Sequence, residues 1–509
     1  MVFETTKQLI MQSSPRAVVI GSGVAGMAAA IRLAVQGYAV QVYEQSDQPG
    51  GKLGYFETKG YHFDTGPSLF TQPANIEELF ALAGERIADY FQYRKMDHSC
   101  HYFYEDGTMI RAAADIDIFA AEIQQKTGEP AHHLKHYLNA SAKLYDGVAH
   151  VFLNHSLHKR KTLIKANIGK AIKTVRWSHL MKSMHQVNQK TFQSEKIVQL
   201  FNRYATYNGS NPYKAPGMLS LIPHLEHNQG TFYPEGGMIS ITKALYQLAI
   251  KKGVIFHFNQ PVERIIRHNN KAIGIVVAGK NIAADIVVSN VDVYFTYLRL
   301  LNDPQKAKKI VKQERSSSAL IFYWGINRSF PQLGLHNIFF SHNYQAEFDH
   351  LFRLKKSYDD PTVYINITSK CEPGKQAPDG KENWFVMVNA PANVGQDWEA
   401  LKVKYRQAIL DKLHRMLQTD IASLIETEDI LDPVLIETKT GSYQGSLYGT
   451  SSNSKMAAFL RHPNFSRQIE GLYFVGGSVH PGGGIPLCLK SAKIMSEIVQ
   501  DDTRKRKRH

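Results

Sequence analysis

The sequence predicts an α/β (α+β) fold: a parallel sheet with a glycine-rich crossover, interleaved with a mixed-sheet domain and a helical subdomain. Three observations carry it. Ala17-Val18-Val19-Ile20 is an unbroken apolar run followed at once by Gly21-Ser22-Gly23-Val24-Ala25-Gly26. Short β-branched runs then recur in quick succession between Val254 and Val288. Near the other end, Leu472–Val475 enters a turn with five glycines between Gly476 and Gly484, and a helical stretch opens at Pro486.

The first unit reads strand, turn, helix, strand. Ala17–Ile20 has the composition of a strand buried on both faces, and the helical run extends through Leu33 to Gly37. A second strand, Ala39–Tyr43, ends on Glu44-Gln45. In this context the G-x-G-x-x-G spacing is a dinucleotide fingerprint. Gly21 makes the tight turn, Gly23 lets the backbone approach a pyrophosphate, and Gly26 lets helix and strand pack closely; Val24 and Ala25 open the helix whose N-terminus faces the anion. Glu44 accepts from ribose hydroxyls, with Gln45 beside it. The apolar stretch Ala17–Val35 is too interrupted, by three glycines and Arg32, to be a leader or a membrane span.

A chain of 509 residues exceeds what one simple core supports, so two or three lobes are expected. The strand runs Val254–Phe258, Val262–Ile266, Ala272–Val277 and Ile286–Val288 predict a β-meander on the first sheet, with turns at Asn269-Asn270 and Gly279-Lys280. Gly236-Gly237 precedes a helix over Ser240–Lys251. The runs His101–Tyr104, Thr108–Arg111, Ala319–Gly325, Ile338–Ser341, Thr362–Thr368 and Trp384–Val388 predict a mixed sheet serving as substrate domain. The expected division is 1–70, 231–300 and 440–509 for a nucleotide domain, 71–130 and 301–439 for a substrate domain, and 131–230 for a basic helical subdomain.

Charge and cysteine usage narrow the setting. The formal charge is +15, and nine Lys/Arg with no acid fall between Gly147 and Ser194. There Ile164, Ile168, Ile172 and Val175 recur at helical spacing while Lys165, Lys170, Lys173 and Arg176 fall mostly on the other faces. With Trp177, Leu180, Met181, Met184 and Val187 following, this predicts contact with an anionic membrane surface. The bland alternative is a helix packed on the core. No RNA or zinc module accompanies the charge, so nucleic acid is not an expected partner. Cys100, Cys371 and Cys488 are scattered, which predicts no disulfide framework and a cytoplasmic location; with the basic segment, the expected place is peripheral on the inner face of the cell membrane. His132, His133 and His136, and His224 with His227, lack a third ligand in an open loop, and no metal is expected. No nucleophile motif appears.

After Glu44 the chain continues Gln48-Pro49-Gly50-Gly51-Lys52 and then Phe63-Asp64-Thr65-Gly66-Pro67-Ser68. From here it resembles the flavin-containing amine-oxidase-like superfamily, which implies FAD as the cofactor. Further anchors are Gly209-Ser210-Asn211-Pro212-Tyr213, Phe232-Tyr233-Pro234-Glu235-Gly236-Gly237, Val288-Ser289-Asn290-Val291-Asp292 and His480-Pro481-Gly482-Gly483-Gly484-Ile485-Pro486. With these the whole chain resembles bacterial carotenoid desaturases of the phytoene-desaturase type. Within that family its closing segment resembles the subgroup that introduces a 3,4 double bond into hydroxylated or partly cyclised carotenoids.

The resemblance implies a cofactor running from Gly21–Gly26 past Gly51, Lys52, Gly66, Pro67 and Ser68. It further implies adenine pairing with the backbone of Val262, and flavin at Gly476, Gly477, Gly484, Ile485 and Pro486. It implies a carotenoid drawn from the lipid bilayer, hydride and proton loss, and a quinone or O2 as electron acceptor. Glu235 stands where phytoene desaturases carry a basic residue, and is the candidate for assisting proton removal. A phytoene desaturase, a redox-neutral isomerase, a non-catalytic pigment-binding protein and an amine oxidase remain as alternatives.

Overall fold

A computed structural model describes residues 14–159, 173–175, 177–454 and 461–506. Five helices organise its layers: α1 (Val24–Val35), α2 (Ala131–Asn154), α3 (Ile239–Lys251), α4 (Trp398–Leu417) and α5 (Ile485–Arg506). The first sheet is all parallel, in the order Leu472–Phe474, Ile286–Ser289, Arg16–Ile20, Ala39–Tyr43, Ile255–His257. Its strands are near-continuous apolar runs because both faces are covered. On one face lie α1, α3 and α5, and Met27 to Ile31 of α1 have no exposed surface. On the other lies a three-stranded antiparallel sheet, Val262–His268, Lys271–Val277 and Lys280–Ala283.

The expected meander is thus divided. Ile255–His257 and Ile286–Ser289 join the parallel sheet, and Lys280 opens a strand instead of closing a turn. The reason lies in burial: Ile286 to Ser289 are buried on both sides, which an edge meander does not provide.

The second sheet has seven strands, ordered Ile425–Leu431, Ser318–Ile326, Glu382–Ala390, Val363–Ile367, His336–Phe339, His98–Phe103, Met109–Ala113. Only His336–Phe339 and His98–Phe103 pair in parallel. The outer face, including Phe322, Trp324, Val363, Trp384 and Val386, packs on Tyr405, Ile409 and Leu413 of α4. The inner face carries two separate apolar clusters. At one end Tyr102, Tyr104, Ile338 and Phe340 pack against helical-subdomain residues such as Leu134, Phe201 and Tyr204. At the other, Ile321, Tyr323 and Phe385 pack on Tyr61 and Phe63. Between them stand His336, Tyr364, Asn366 and the half-buried Met387.

Ile164, Lys165, Ile168, Lys170, Ile172 and Arg176 of the basic amphipathic segment lie outside the described residues, as does the side chain of Trp177. The part that follows corrects the interfacial expectation for two residues. Met184 has no exposed surface and belongs to the core around Tyr137 and Phe201, while Leu180 packs against Leu144, Val148 and Met218. Ser183 caps the helix Met184–Thr191 with a capping box, so the chain turns inward there. Met181 remains 45% exposed. Among the described residues, no helix is long and apolar enough to cross a membrane.

Candidate active site

The glycine turn sits at the C-terminal edge of the parallel sheet, where ligands bind in folds of this type. Gly21 has φ +95° and donates its N–H to Tyr43 O at 2.8 Å, which fixes the turn between the first two strands. Gly23 forms the N-cap of α1 with no side chain covering the helix end, so the first amides stay available to an anion. A Cβ on Gly26 would run into Gly21 O, which explains the third glycine sterically.

Glu44 is buried, and its carboxylate accepts from Ser22 N at 2.7 Å, Ser22 Oγ at 2.9 Å and Ser46 N at 3.0 Å. An ionised carboxylate offers about four acceptor sites, so Glu44 braces the glycine turn and keeps room for a ribose hydroxyl. Gln45 beside it is exposed. Gln260 N donates to Glu44 O at 2.9 Å, which brings the strand led by Val262 to this edge. Val262 itself is half-buried against the cluster containing Ile20 and Tyr43.

The second glycine pair is laid over the first. Gly50 N donates to Ser22 O at 3.0 Å, and a Cβ on Gly51 would touch Gly23 Cα at 3.3 Å. Gly66 is packed so tightly on Lys52 O that any Cβ would collide with it. Pro67 and Ser68 follow, half-buried, and Ser68 Oγ is 2.8 Å from Tyr364 OH on the inner face of the mixed sheet. The loop Gly66–Ser68 therefore links the two sheets.

The closing segment arrives at the same place. Leu472–Phe474 pairs with Ile286–Ser289, and Val475 N donates to Ser289 O at 3.0 Å. Cβ atoms on Gly23 and Gly476 would each lie 2.8 Å from opposite ends of the Asn290 amide. Asn290 thus joins the N-terminal fingerprint to the C-terminal turn. Gly477 packs on Gly483, a cis peptide joins His480 to Pro481, and Gly484 (φ +100°) leads into Ile485 and Pro486 at the start of α5. Space around Gly484 is open, with no atom within 4 Å of an added Cβ.

Cationic groups gather at this end. Lys52 donates to Leu447 O at 2.9 Å; burial lowers its ammonium to about 8, against the pull of Asp292 and Cys488, so it stays charged at neutral pH. Arg315 pairs with Asp292 and donates to Ser446 Oγ at 3.1 Å, yet its Nε and Nη1 are buried with no protein acceptor. Arg461 is buried and donates to Tyr448 O, Gly477 O and Thr450 O, holding the closing turn; burial lowers its guanidinium to about 10.

Glu235 lies outside this cluster. It is exposed on the turn before α3, where the neighbouring Tyr233 OH and Gly236 N are both bound by Glu372. The structure does not bring its carboxylate to the glycine turns, and the proton-removing role expected for it has no geometric support. Asn290, Arg315 and Arg461 are residues that sequence reasoning did not place in the site. Asn290 was visible only as a member of the Val288–Asp292 motif, and no local pattern marks either arginine. Among the described residues, no group of three or more His, Cys, Asp or Glu could hold a metal ion.

The residues present fit a flavin nucleotide: an uncapped helix N-terminus, glycines whose Cβ atoms would fill the track, and unpartnered Arg315 donors beside the closing turn. Fold and site together define an FAD-dependent oxidoreductase. The chain belongs to the flavin containing amine oxidoreductase family, matched over residues 24–499. It is 51% identical to a 1-hydroxycarotenoid 3,4-desaturase from Flavobacterium sp. over 484 residues, covering 95% of this chain and 99% of that one. It is 33% identical to a 4,4'-diapolycopene oxygenase from Methylomonas sp., covering 96% and 98%. The fold is shared with an oxidoreductase from Methanosarcina mazei (TM-score 0.62, 16% identity, 96% and 100% covered). It is also shared with putrescine oxidase bound to putrescine (TM-score 0.61, 13% identity, 97% and 99% covered).

Proposed function

We propose that the protein is an FAD-dependent carotenoid desaturase that introduces the 3,4 double bond into a hydroxylated C40 carotenoid. The observation that carries this reading is the 51% identity, end to end, with a 1-hydroxycarotenoid 3,4-desaturase. The bound FAD supplies the two-electron acceptor for hydride removal, with a proton lost from the neighbouring carbon and reoxidation by a quinone or O2.

The chain's own residues supply binding and environment. Gly21–Gly26 and the N-terminus of α1 would hold the pyrophosphate, and Glu44 the ribose. Lys52, Arg315 and the N-terminus of α5 give positive potential beside the closing turn, which favours negative charge on a reduced cofactor. The aromatic inner face of the mixed sheet, with Tyr323, Tyr364 and Phe385, offers an apolar wall that excludes water. At ~0.8 kcal/mol per methylene-sized group, exposing a forty-carbon polyene to water costs roughly 30 kcal/mol. Transfer straight from an anionic membrane is therefore part of the proposal, with the protein peripheral on the cytoplasmic face. The acid-free basic stretch between Gly147 and Ser194 supports that location.

The test is an anaerobic mixture of FAD-loaded protein with 1-hydroxycarotenoid. Bleaching of the flavin band with a product lighter by two hydrogens is expected. Unchanged mass with altered geometry would indicate an isomerase instead, and peroxide production driven by an amine would indicate an amine oxidase.

A further inference from the structure

On the inner side of the mixed sheet two buried N–H donors have no protein acceptor, one on His336 between the apolar clusters and one on Arg203 beside Tyr102. His336 is 2% exposed and Arg203 is 7% exposed; His336 Nε2 and Arg203 Nε are both without a protein partner. The tautomer of His336 follows from its neighbours. Asn366 Nδ2 donates to Leu335 O at 3.0 Å, which orients the amide, and lies 3.2 Å from His336 Nδ1. Nδ1 must therefore accept, from Asn366 and from Tyr364 OH at 2.7 Å, and the ring proton sits on Nε2. Burial lowers the imidazolium to about 4, so this histidine is a neutral donor at physiological pH.

Arg203 belongs to a fixed network. It donates to Tyr102 OH at 2.8 Å and to Glu226 at 3.2 Å, while Glu226 also accepts from Tyr204 OH and Tyr207 OH. Glu226 lies on a π-helical turn, His224–Asn228, a geometry that costs stability and recurs at functional sites. Tyr102, which accepts from Arg203, stands opposite Ile338, two residues along the same sheet face from His336. A buried donor left unmade is expensive. Two of them on one side of the sheet point to an oxygen that arrives with a ligand.

We propose that His336 Nε2 and Arg203 Nε form an oxygen-recognition site that takes the hydroxyl end-group of the substrate and selects oxygenated over hydrocarbon carotenoids. This rests on the desaturase reading given above. It also places the hydroxyl sensibly: an oxygen on carbon 1 stands two carbons from carbon 3, so its site must adjoin the cofactor. The hydrogen-bonded chain Ser68–Tyr364–His336 runs from the Gly66–Ser68 loop to this donor. His336 and Arg203 are specificity-determining residues here, with no part in moving hydride.

The test compares a 1-hydroxycarotenoid with its 1-deoxy counterpart of equal polyene length. Affinities are read from the absorption shift and induced dichroism of the carotenoid on FAD-loaded protein in detergent micelles, before turnover. Wild type is expected to prefer the hydroxylated ligand by roughly tenfold to a hundredfold, the reach of one or two hydrogen bonds. His336→Leu should lower only the hydroxylated affinity, toward the deoxy level, and His336→Gln, whose amide nitrogen can replace Nε2, should restore most of it. Equal weakening of both ligands in His336→Leu, or a wild type that does not discriminate, overturns the proposal. Desaturation of both carotenoids alike would do so while leaving the desaturase reading intact. Binding of neither would instead overturn the desaturase reading.

Discussion

Gly23→Ala separates what the fold needs from what the cofactor needs. Gly23 has φ −64° and ψ 171°, a conformation any residue adopts, so alanine brings no backbone strain. Its Cβ would stand 2.8 Å from Asn290 Nδ2 and 3.9 Å from Cγ, with no other atom within 4 Å. Overpacking of this kind costs about 1–3 kcal/mol, and the low end applies because the offending atom is the tip of a side chain. For FAD the same methyl stands where backbone amides must approach the pyrophosphate. Losing one charge-assisted hydrogen bond is worth about 1.5–3 kcal/mol, and weakening the helix N-terminus up to about 1 kcal/mol more. At about 1.4 kcal/mol per decade, FAD affinity should fall roughly tenfold to a thousandfold.

The assay is titration of apoprotein with FAD by flavin fluorescence, run beside thermal melts, on Gly23→Ala, Asn290→Ala and the double variant. The double variant should regain most of the lost melting temperature and little of the lost affinity, measured against Asn290→Ala alone. Full recovery of FAD affinity in the double variant would refute the reasoning. It would mean that Gly23 makes room for Asn290 and not for a phosphate.

Three further outcomes follow from the structure. Glu235→Gln should keep FAD affinity and turnover close to wild type, as for other exposed substitutions; a large loss of turnover with FAD intact would restore Glu235 to the chemistry. Burial raises the Asp64 carboxyl to about 6, against two helix N–H bonds from Met238 and Ile239. A raised acid contributes stability that is fully present below its unfolded value near 4 and lost as pH rises through 6. Relative to Asp64→Asn, wild type should therefore lose about 2–3 kcal/mol between pH 4 and 7 in urea unfolding. Finally, replacing Lys161, Lys165, Lys170 and Lys173 by Gln should abolish binding to phosphatidylserine vesicles, at ~1 kcal/mol per lysine, while binding that survives in high salt would deny the electrostatic contact.

How much was legible depended on whether a feature is local. The strand–turn–helix at Ala17–Leu33 is written in consecutive residues, and it folds as its pattern requires. The hairpin Tyr55–Thr58/Tyr61–Asp64 and the edge strand Ile425–Leu431 are hard to recognise because the first is made of four-residue strands and the second is rich in acids, and neither has a β-branched run. Met184 looked interfacial by composition, yet tertiary packing decided its place. The site divides in the same way. Gly21, Gly23, Gly26 and Glu44 announce themselves by spacing, whereas Arg315, Arg461 and the His336–Arg203 pair are single residues whose meaning comes only from what the fold sets beside them.

That division has a physical basis. A pyrophosphate is held by backbone amides, so it demands glycine at fixed spacing and leaves a motif. Charge around a cofactor can come from any side chain that reaches the right point, so it leaves none. Lys52 follows the second glycine pair, Arg315 precedes the strand Ser318–Ile326, and Arg461 approaches from the segment before Leu472–Phe474. Asp292 neutralises Arg315, and backbone carbonyls rather than carboxylates receive Lys52 and Arg461. Three basic side chains against one carboxylate leave a basic excess there, although burial lowers both the Lys52 ammonium and the Arg461 guanidinium. Only Arg315 keeps donors without a protein acceptor, and that excess of positive charge is assembled by Lys52, Asp292, Arg315 and Arg461, which share no motif.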